Sequence, residues 1–181
     1  MAQVPFQRGE SAVVVPVPQA EPLVSSWRAR FDISAAYGVP AHVTVIYPFL
    51  YESLLNAAVL QEMTTLCAAM QPFEVTFNRV GRFPGVAYLA PEPERRFRDL
   101  TARFVERWPE ALPYGGKGED PVPHVTVADK VTPEVLDMVE EDLQPRLPLT
   151  ATATELVLYV FGERVWEVRA RLAFRDGSHQ A

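Results

Sequence analysis

Two of the three histidines in this 181-residue chain open the same tetrapeptide. His42-Val43-Thr44-Val45 follows Val39-Pro40-Ala41, and His124-Val125-Thr126-Val127 follows Pro121-Val122-Pro123. The copies are 82 residues apart, close to half the chain. At near-average residue usage, a second histidine draws the same three followers on the order of once in a thousand times. An imidazole titrates near neutrality, so a pair can offer a base and an acid at the same time. In-line displacement at phosphorus needs that pair. One group takes a proton from the attacking oxygen, and the other gives a proton to the leaving oxygen on the opposite side. A hydroxyl donor near each imidazole suits the non-bridging phosphoryl oxygens, where charge must be held.

The elements around the motifs must present these groups together. Side chains alternate faces along a strand, so each His and Thr share one face and the valines take the other. The His and Thr then stand roughly 6–7 Å apart and face a groove, while the valines bury. Two such strands related by a pseudo-twofold axis place two imidazoles and two hydroxyls around one cavity. A strand with a polar face would explain either copy alone, since Val-Thr-Val is ordinary strand composition. The exact repeat around a scarce residue argues against that explanation. A metal site is the other rival, with Asp120 and Asp129 near the second motif. The usual catalytic zinc takes three protein ligands, however, and no HExxH or Cys/His cluster is present.

Seventeen prolines against nine glycines cut the rest of the chain into short elements. Strands are expected at Ala12 to Val17, His42 to Phe49, Phe73 to Val80, Val86 to Ala90 and His124 to Ala128. A hairpin of Leu156 to Phe161 and Val165 to Phe174 closes the chain. Helices are expected at Leu23 to Phe31, from Ser53 as cap to Met70, at Pro93 to Trp108, and after the cap Thr132 with Pro133. The order is β α β α β β followed by α β α β β, so the second half nearly repeats the first without its opening strand. Tyr114 to Pro123 reads as a loop and Arg175 to Ala181 as a frayed tail.

Composition narrows the class. A hydrophobic content of 48% with 22% charged residues excludes a fully disordered chain. A net charge of −6 argues against a long, non-specific grip on RNA or DNA, but allows a small anion in a local pocket. The single Cys67 cannot form an intramolecular disulfide, and its helical core spacing makes it an inert packed thiol. No apolar run reaches membrane-spanning or signal-peptide length, so a cytoplasmic protein without membrane or DNA partners is expected.

Paired H-x-T-x motifs in two similar halves of a chain this size resemble the 2H phosphoesterase superfamily. In particular they resemble its bacterial and archaeal 2'-5' RNA ligase and cyclic phosphodiesterase family, whose first motif is similar to HVTVIYPF at His42. The resemblance implies an α+β fold of two pseudo-twofold-related lobes of antiparallel sheet, helices outside and a central cleft, in one bilobal domain over residues 1–174. It implies metal-independent chemistry, without a cofactor, on 2',3'-cyclic phosphates of nucleotides or short RNA, typically giving a 2'-phosphate. The alternatives are 2'-5' joining of RNA ends with tRNA halves as partner, and a silent nucleotide-binding or RNA-binding module. By match, His42 and His124 take the acid and base roles and Thr44 and Thr126 hold the phosphate. A monomer is expected.

Other residues are candidates on their own chemistry. Tyr47, Phe83, Tyr88 and Tyr159 are positioned in the sequence to line a cleft and stack on a base. Lys117, in the glycine-rich loop before the second motif, could reach a substrate phosphate. Its Gly115-Gly116-Lys117-Gly118 setting lacks P-loop spacing, so ATP binding is not indicated. Residues 73–108 carry seven arginines against five acids, which fits a solvated, ion-paired face better than a phosphate-facing rim.

Overall fold

The structure is a computed structural model and describes residues 4–116 and 121–175. Its elements are β1 (Ser11–Pro16), α1 (Glu21–Phe31), α2 (Ile33–Ala36), β2 (His42–Ile46), α3 (Ala57–Ala68), β3 (Phe73–Phe83), β4 (Val86–Glu92), α4 (Arg95–Arg107), β5 (Val125–Ala128), α5 (Pro133–Leu143), β6 (Leu149–Ala153), β7 (Glu155–Phe161) and β8 (Trp166–Ala173). The strands form one antiparallel sheet in the order β6-β3-β4-β5-β2-β1-β7-β8. The two motif strands lie side by side at its centre, joined through the Val43–Val125 pair. Because the pairing is antiparallel and these valines are equivalent in the two motifs, the pseudo-twofold axis runs through them.

The symmetry extends outwards. β1 flanks β2 as β4 flanks β5, and both pairings carry a register shift at the matching place, between Val13 and Val14 and between Ala87 and Tyr88. β4 is therefore the counterpart of β1, the strand missing from the second half in the linear reading. β6, not anticipated from its Leu-Thr-Ala-Thr-Ala sequence, fills the edge position that β8 fills on the other side. The closing hairpin β7–β8 pairs with β1 beside the first motif, whereas β3–β4 pairs with β5 beside the second. The helices cross in the same way: α1 packs under β5, and α4 packs under β2. Each half thus depends on elements from both ends of the chain.

Alternation in the motif strands sets the layers. Val43, Val45, Val125 and Val127 are buried and join Val24, Phe97, Leu100 and Phe104 of the helices in the main core. The amphipathic stripe of α4 produces that packing: Phe97, Leu100 and Phe104 recur at helical spacing. Thr101 Oγ1 donates to the Val45 carbonyl at 2.9 Å and ties α4 to β2. On the opposite face a second cluster of Val14, Val39, Val157, Tyr159, Phe161 and Trp166 lines the β1–β2–β7–β8 half.

Some local expectations shift. α3 is capped by Asn56, whose side chain accepts from the Val59 N–H at 3.1 Å, while Ser53 lies in a preceding 3₁₀ turn. Asparagine is an equally good cap, and Asn56 stands one residue before the first residue of the helix. Thr132 precedes α5 with Pro133 in its first turn, but its hydroxyl does not cap the helix. β2 stops at Ile46, two residues before Pro48, which has no N–H for a ladder. Cys67 is fully buried, and burial pushes its thiol up to about 12. Among the described residues, no helix is long and apolar enough to cross a membrane.

Candidate active site

The concave face above the two motif strands holds a cavity of about 580 Å³. His42, Thr44, His124 and Thr126 all line it. The register explains how four residues distant in sequence meet. Val43 opposes Val125, so His42 stands beside Thr126 and Thr44 beside His124, with the two imidazoles diagonal across the axis. Neither threonine hydroxyl has a hydrogen bond among the described residues, so both are free to donate to a ligand.

Both imidazoles are oriented alike. His42 Nδ1 lies 2.7 Å from the Pro40 carbonyl, and His124 Nδ1 lies 2.7 Å from the Val122 carbonyl. A carbonyl only accepts, so Nδ1 carries the proton and donates in each case. The neutral ring then has its lone pair on Nε2, the nitrogen left for a ligand. Burial pushes His42 down to about 4; the Pro40 carbonyl opposes this, Arg28 adds to it, Asp32 opposes it, and His124 adds a smaller push. Burial likewise lowers His124, against the opposing effects of the Val122 carbonyl and Asp32. A bound anion favours the charged rings and so opposes the effect of burial.

The sequence gives no direct sign of the support beneath His42. Arg28 of α1 is 2% exposed. Its guanidinium donates to Asp32 Oδ2 at 2.9 Å, to Ser34 Oγ at 3.1 Å and to the Val39 carbonyl at 3.0 Å. Glu21 lies 3.5 Å from the same guanidinium and accepts from the Ala41 N–H. These contacts fix the chain just ahead of His42. The twofold counterpart is Arg98 of α4, paired with Glu94, which reaches the Pro121 carbonyl at 3.4 Å, three residues before His124. An Arg in the helix before each motif thus reaches the equivalent carbonyl, but Arg28 stands 14 residues before His42 and Arg98 stands 26 before His124, so the match shows in space and not in linear spacing.

The remaining candidates separate by location. Tyr47, Phe83 and Tyr159 line the cavity. Tyr88 is 6% exposed and sits behind it, stacked on Phe83 at 4.4 Å between ring centroids and 5.3 Å from the His124 ring. Lys117 and Asp120 lie outside the described residues. Within the arginine-rich segment, Arg82 pairs with Asp137 and Glu140, Arg95 with Asp99, Arg98 with Glu94 and Arg107 with Glu62. None of these arginines lines the cavity. Phe6 and Trp166 extend the aromatic wall on the first-motif side, where their rings lie 5.1 Å apart. Among the described residues, no three His, Cys, Asp or Glu side chains group as a metal ion would need.

Gly81 has one evident task. The Tyr88 ring lies across it, and a Cβ there would overlap Tyr88 Cζ. Tyr88 is buried against Phe83 and His124, so the ring has little freedom to yield. Gly81→Ala is expected to destabilise the fold by about 1–3 kcal/mol, as overpacking does. Denaturant unfolding measures it, and an unchanged midpoint would contradict the close packing.

Comparison with known proteins agrees with this architecture. A sequence model described as the 2'-5' RNA ligase superfamily matches residues 15–164. A Geobacillus kaustophilus protein with a provisional phosphoesterase name is 27% identical over 119 residues, covering 64% of this chain and 65% of that protein's length. The crystal structure of Escherichia coli LigT complexed with 3'-AMP aligns with a TM-score of 0.61 and 17% identity, over 94% of this chain and all of that one. TT0787 of Thermus thermophilus aligns with a TM-score of 0.62 and 20% identity, over 93% and 99%. At these identities the structural likeness is one of fold, an α+β sheet curled about a central cleft. The match to the superfamily spans both HVTV strands and most of the chain between its ends, and the protein belongs to the 2'-5' RNA ligase superfamily of 2H phosphoesterases.

Proposed function

We propose that the protein is a phosphodiesterase that hydrolyses nucleoside or short-RNA 2',3'-cyclic phosphates, without a metal ion, to 2'-phosphates. The observation that carries this reading is the matched pair of imidazoles. Each has Nδ1 tied to a carbonyl two residues back and Nε2 left for the cavity. One neutral imidazole accepts a proton from water as its oxygen bonds to phosphorus. The other, protonated, donates to the 3'-oxygen as the P–O3' bond breaks. The Thr44 and Thr126 hydroxyls donate to the non-bridging oxygens and stabilise charge there. Tyr47, Phe83 and Tyr159 offer apolar faces to a base. E. coli LigT, which shares the fold, has been crystallised with 3'-AMP, NADP+ and ATP, and this supports a nucleotide as ligand.

Joining of RNA ends uses the same groups, with a 5'-hydroxyl in place of water. A second groove of about 610 Å³ favours this reading as an alternative, because it shares Asp32, Ile33 and Asp129 with the cavity and gives room for another strand. The test is incubation with the four 2',3'-cyclic mononucleotides, with and without EDTA, and with and without a 5'-hydroxyl oligonucleotide. Conversion to the 2'-monophosphate, unaffected by EDTA, is expected. Binding without conversion would overturn the reading in favour of a silent binding module, and loss of activity with EDTA would overturn the metal-free mechanism.

A further inference from the structure

The twofold site poses a problem for an asymmetric ligand. His42 and Thr44 match His124 and Thr126 about the axis, so these four groups alone do not choose which ribose oxygen faces which imidazole. The choice must come from cavity-lining positions where the halves differ. Tyr47 and Asp129 are such a pair: each lies five residues after its histidine, and both line the cavity. On the first-motif side, the Tyr47 ring packs against Phe6 and Trp166, and its hydroxyl donates to Glu10 at 3.1 Å. On the second-motif side stands a carboxylate.

Asp129 is held in place by its backbone, and among the described residues its carboxylate accepts no hydrogen bond. Its backbone N–H donates to the Phe31 carbonyl at 2.7 Å, anchoring the end of β5 to the end of α1. Lys130 follows in the left-handed region at φ 56°, and the Val131 N–H donates to the Gly85 carbonyl at 3.1 Å, so the chain turns sharply away after Asp129. The one cation near its carboxylate among the described residues is Lys130 Nζ, at 4.0 Å and on an 86% exposed side chain. The other carboxylate of the wall, Asp32, already accepts from Arg28 Nε, the Ser34 N–H and Ser34 Oγ. Asp129 is therefore the carboxylate in this mostly apolar wall with acceptor capacity to spare.

We infer that Asp129 is a specificity-determining residue that accepts a hydrogen bond from the nucleoside and so fixes which way the ligand lies in the near-symmetric site. This rests on the cyclic-phosphate reading above. In a 2',3'-cyclic nucleotide the cyclic phosphate occupies both ring hydroxyls, so the donors left are the 5'-hydroxyl and the N–H groups of the base. Either one sets the sugar's orientation, and the orientation decides which ester oxygen stands opposite the protonated imidazole. Asp129 thereby governs the isomer formed as well as the affinity.

The experiment compares wild type, Asp129→Asn and Asp129→Ala on the four 2',3'-cyclic mononucleotides and on a 5'-O-methyl derivative, reading kcat, KM and the ratio of 2'- to 3'-phosphate. Asp129→Ala is expected to lower kcat/KM about 10-fold or more, as loss of a hydrogen bond to a charged group does, mainly through KM, and to move the isomer ratio. A merely structural role would leave the ratio where it is. A loss uniform over the bases and absent for the 5'-O-methyl substrate identifies the 5'-hydroxyl as donor; a loss that differs among bases identifies the base. Thermal melting of Asp129→Asn, a near-isosteric change, separates these effects from unfolding. An active wild type whose two variants keep kcat/KM and isomer ratio within twofold would overturn this inference alone. A wild type inert on every substrate would overturn it together with the proposed function.

Discussion

Turnover of a 2',3'-cyclic nucleotide is expected to fall by about 10²–10⁴-fold when either His42 or His124 is replaced by alanine. The two losses should be far from additive, because base and acid act in the same step; the double variant should be little worse than either single one. Thermal stability should change little by comparison, since both rings line a cavity rather than fill the core. The same pair predicts the pH dependence. The competent free enzyme carries one proton between the two rings. Burial pushes His42 down to about 4 and lowers His124 as well, so that one-proton form is populated on the acid side of the ordinary histidine range near 6.5. Hence kcat/KM should decline as pH rises above about 6.5 and decline again as pH drops through about 4. A bound phosphate anion favours protonated imidazole, so the kcat profile should sit at higher pH than that of kcat/KM. Steady-state kinetics across the range measures both. Full activity in either alanine variant, or a kcat/KM maximum above about pH 8, would sink the paired-imidazole mechanism.

What was readable in the sequence follows from how local each signal is. The HVTV repeat needs only strand alternation to place its His and Thr on one face, and its duplication points to two halves meeting at those strands. That pattern carries the resemblance to the family, and the resemblance is what implies the α+β class. Pairing partners are less local. Nothing in Leu156–Phe161 says that β7 will pair with β1 rather than with an element of its own half, and both crossovers arise from such long-range choices. Leu-Thr-Ala-Thr-Ala is too short and weakly apolar to mark β6 by itself; its pairing with β3 makes it a strand. Arg28 reads in the sequence as one more charge on a helix. Its importance comes from burial and from the carbonyls within reach, which a linear pattern does not contain. Asp129 was visible as a polar residue after the second motif, but its match to Tyr47 acquires meaning only when the two strands are set about one axis.

Removing the Arg28 guanidinium is the substitution expected to cost most stability. Arg28→Met would leave Asp32 buried with its charge uncompensated, and would free the Ser34 hydroxyl and the Val39 carbonyl of a donor. Breaking one side of such a buried pair costs about 3–5 kcal/mol. Both side chains are 3–4% exposed, so solvent offers little screening in exchange. Arg28→Lys should recover only part of the loss, because an ammonium lacks the planar fork that reaches Asp32, Ser34 and Val39 together. Arg28→Met combined with Asp32→Asn should be more stable than Arg28→Met alone, since the stranded charge is then gone while the asparagine can still accept from Ser34. The double variant also tests the link to the site. The Val39 carbonyl lies three residues before His42 and one before the Pro40 carbonyl that holds its Nδ1, so its release loosens the imidazole. Activity in the double variant should therefore remain at least about 10-fold down even where stability returns, because small misplacements of a reacting group are costly. Urea unfolding and steady-state kinetics on the four proteins separate the two effects, and a double variant that regains both together would show that Arg28 serves the fold alone.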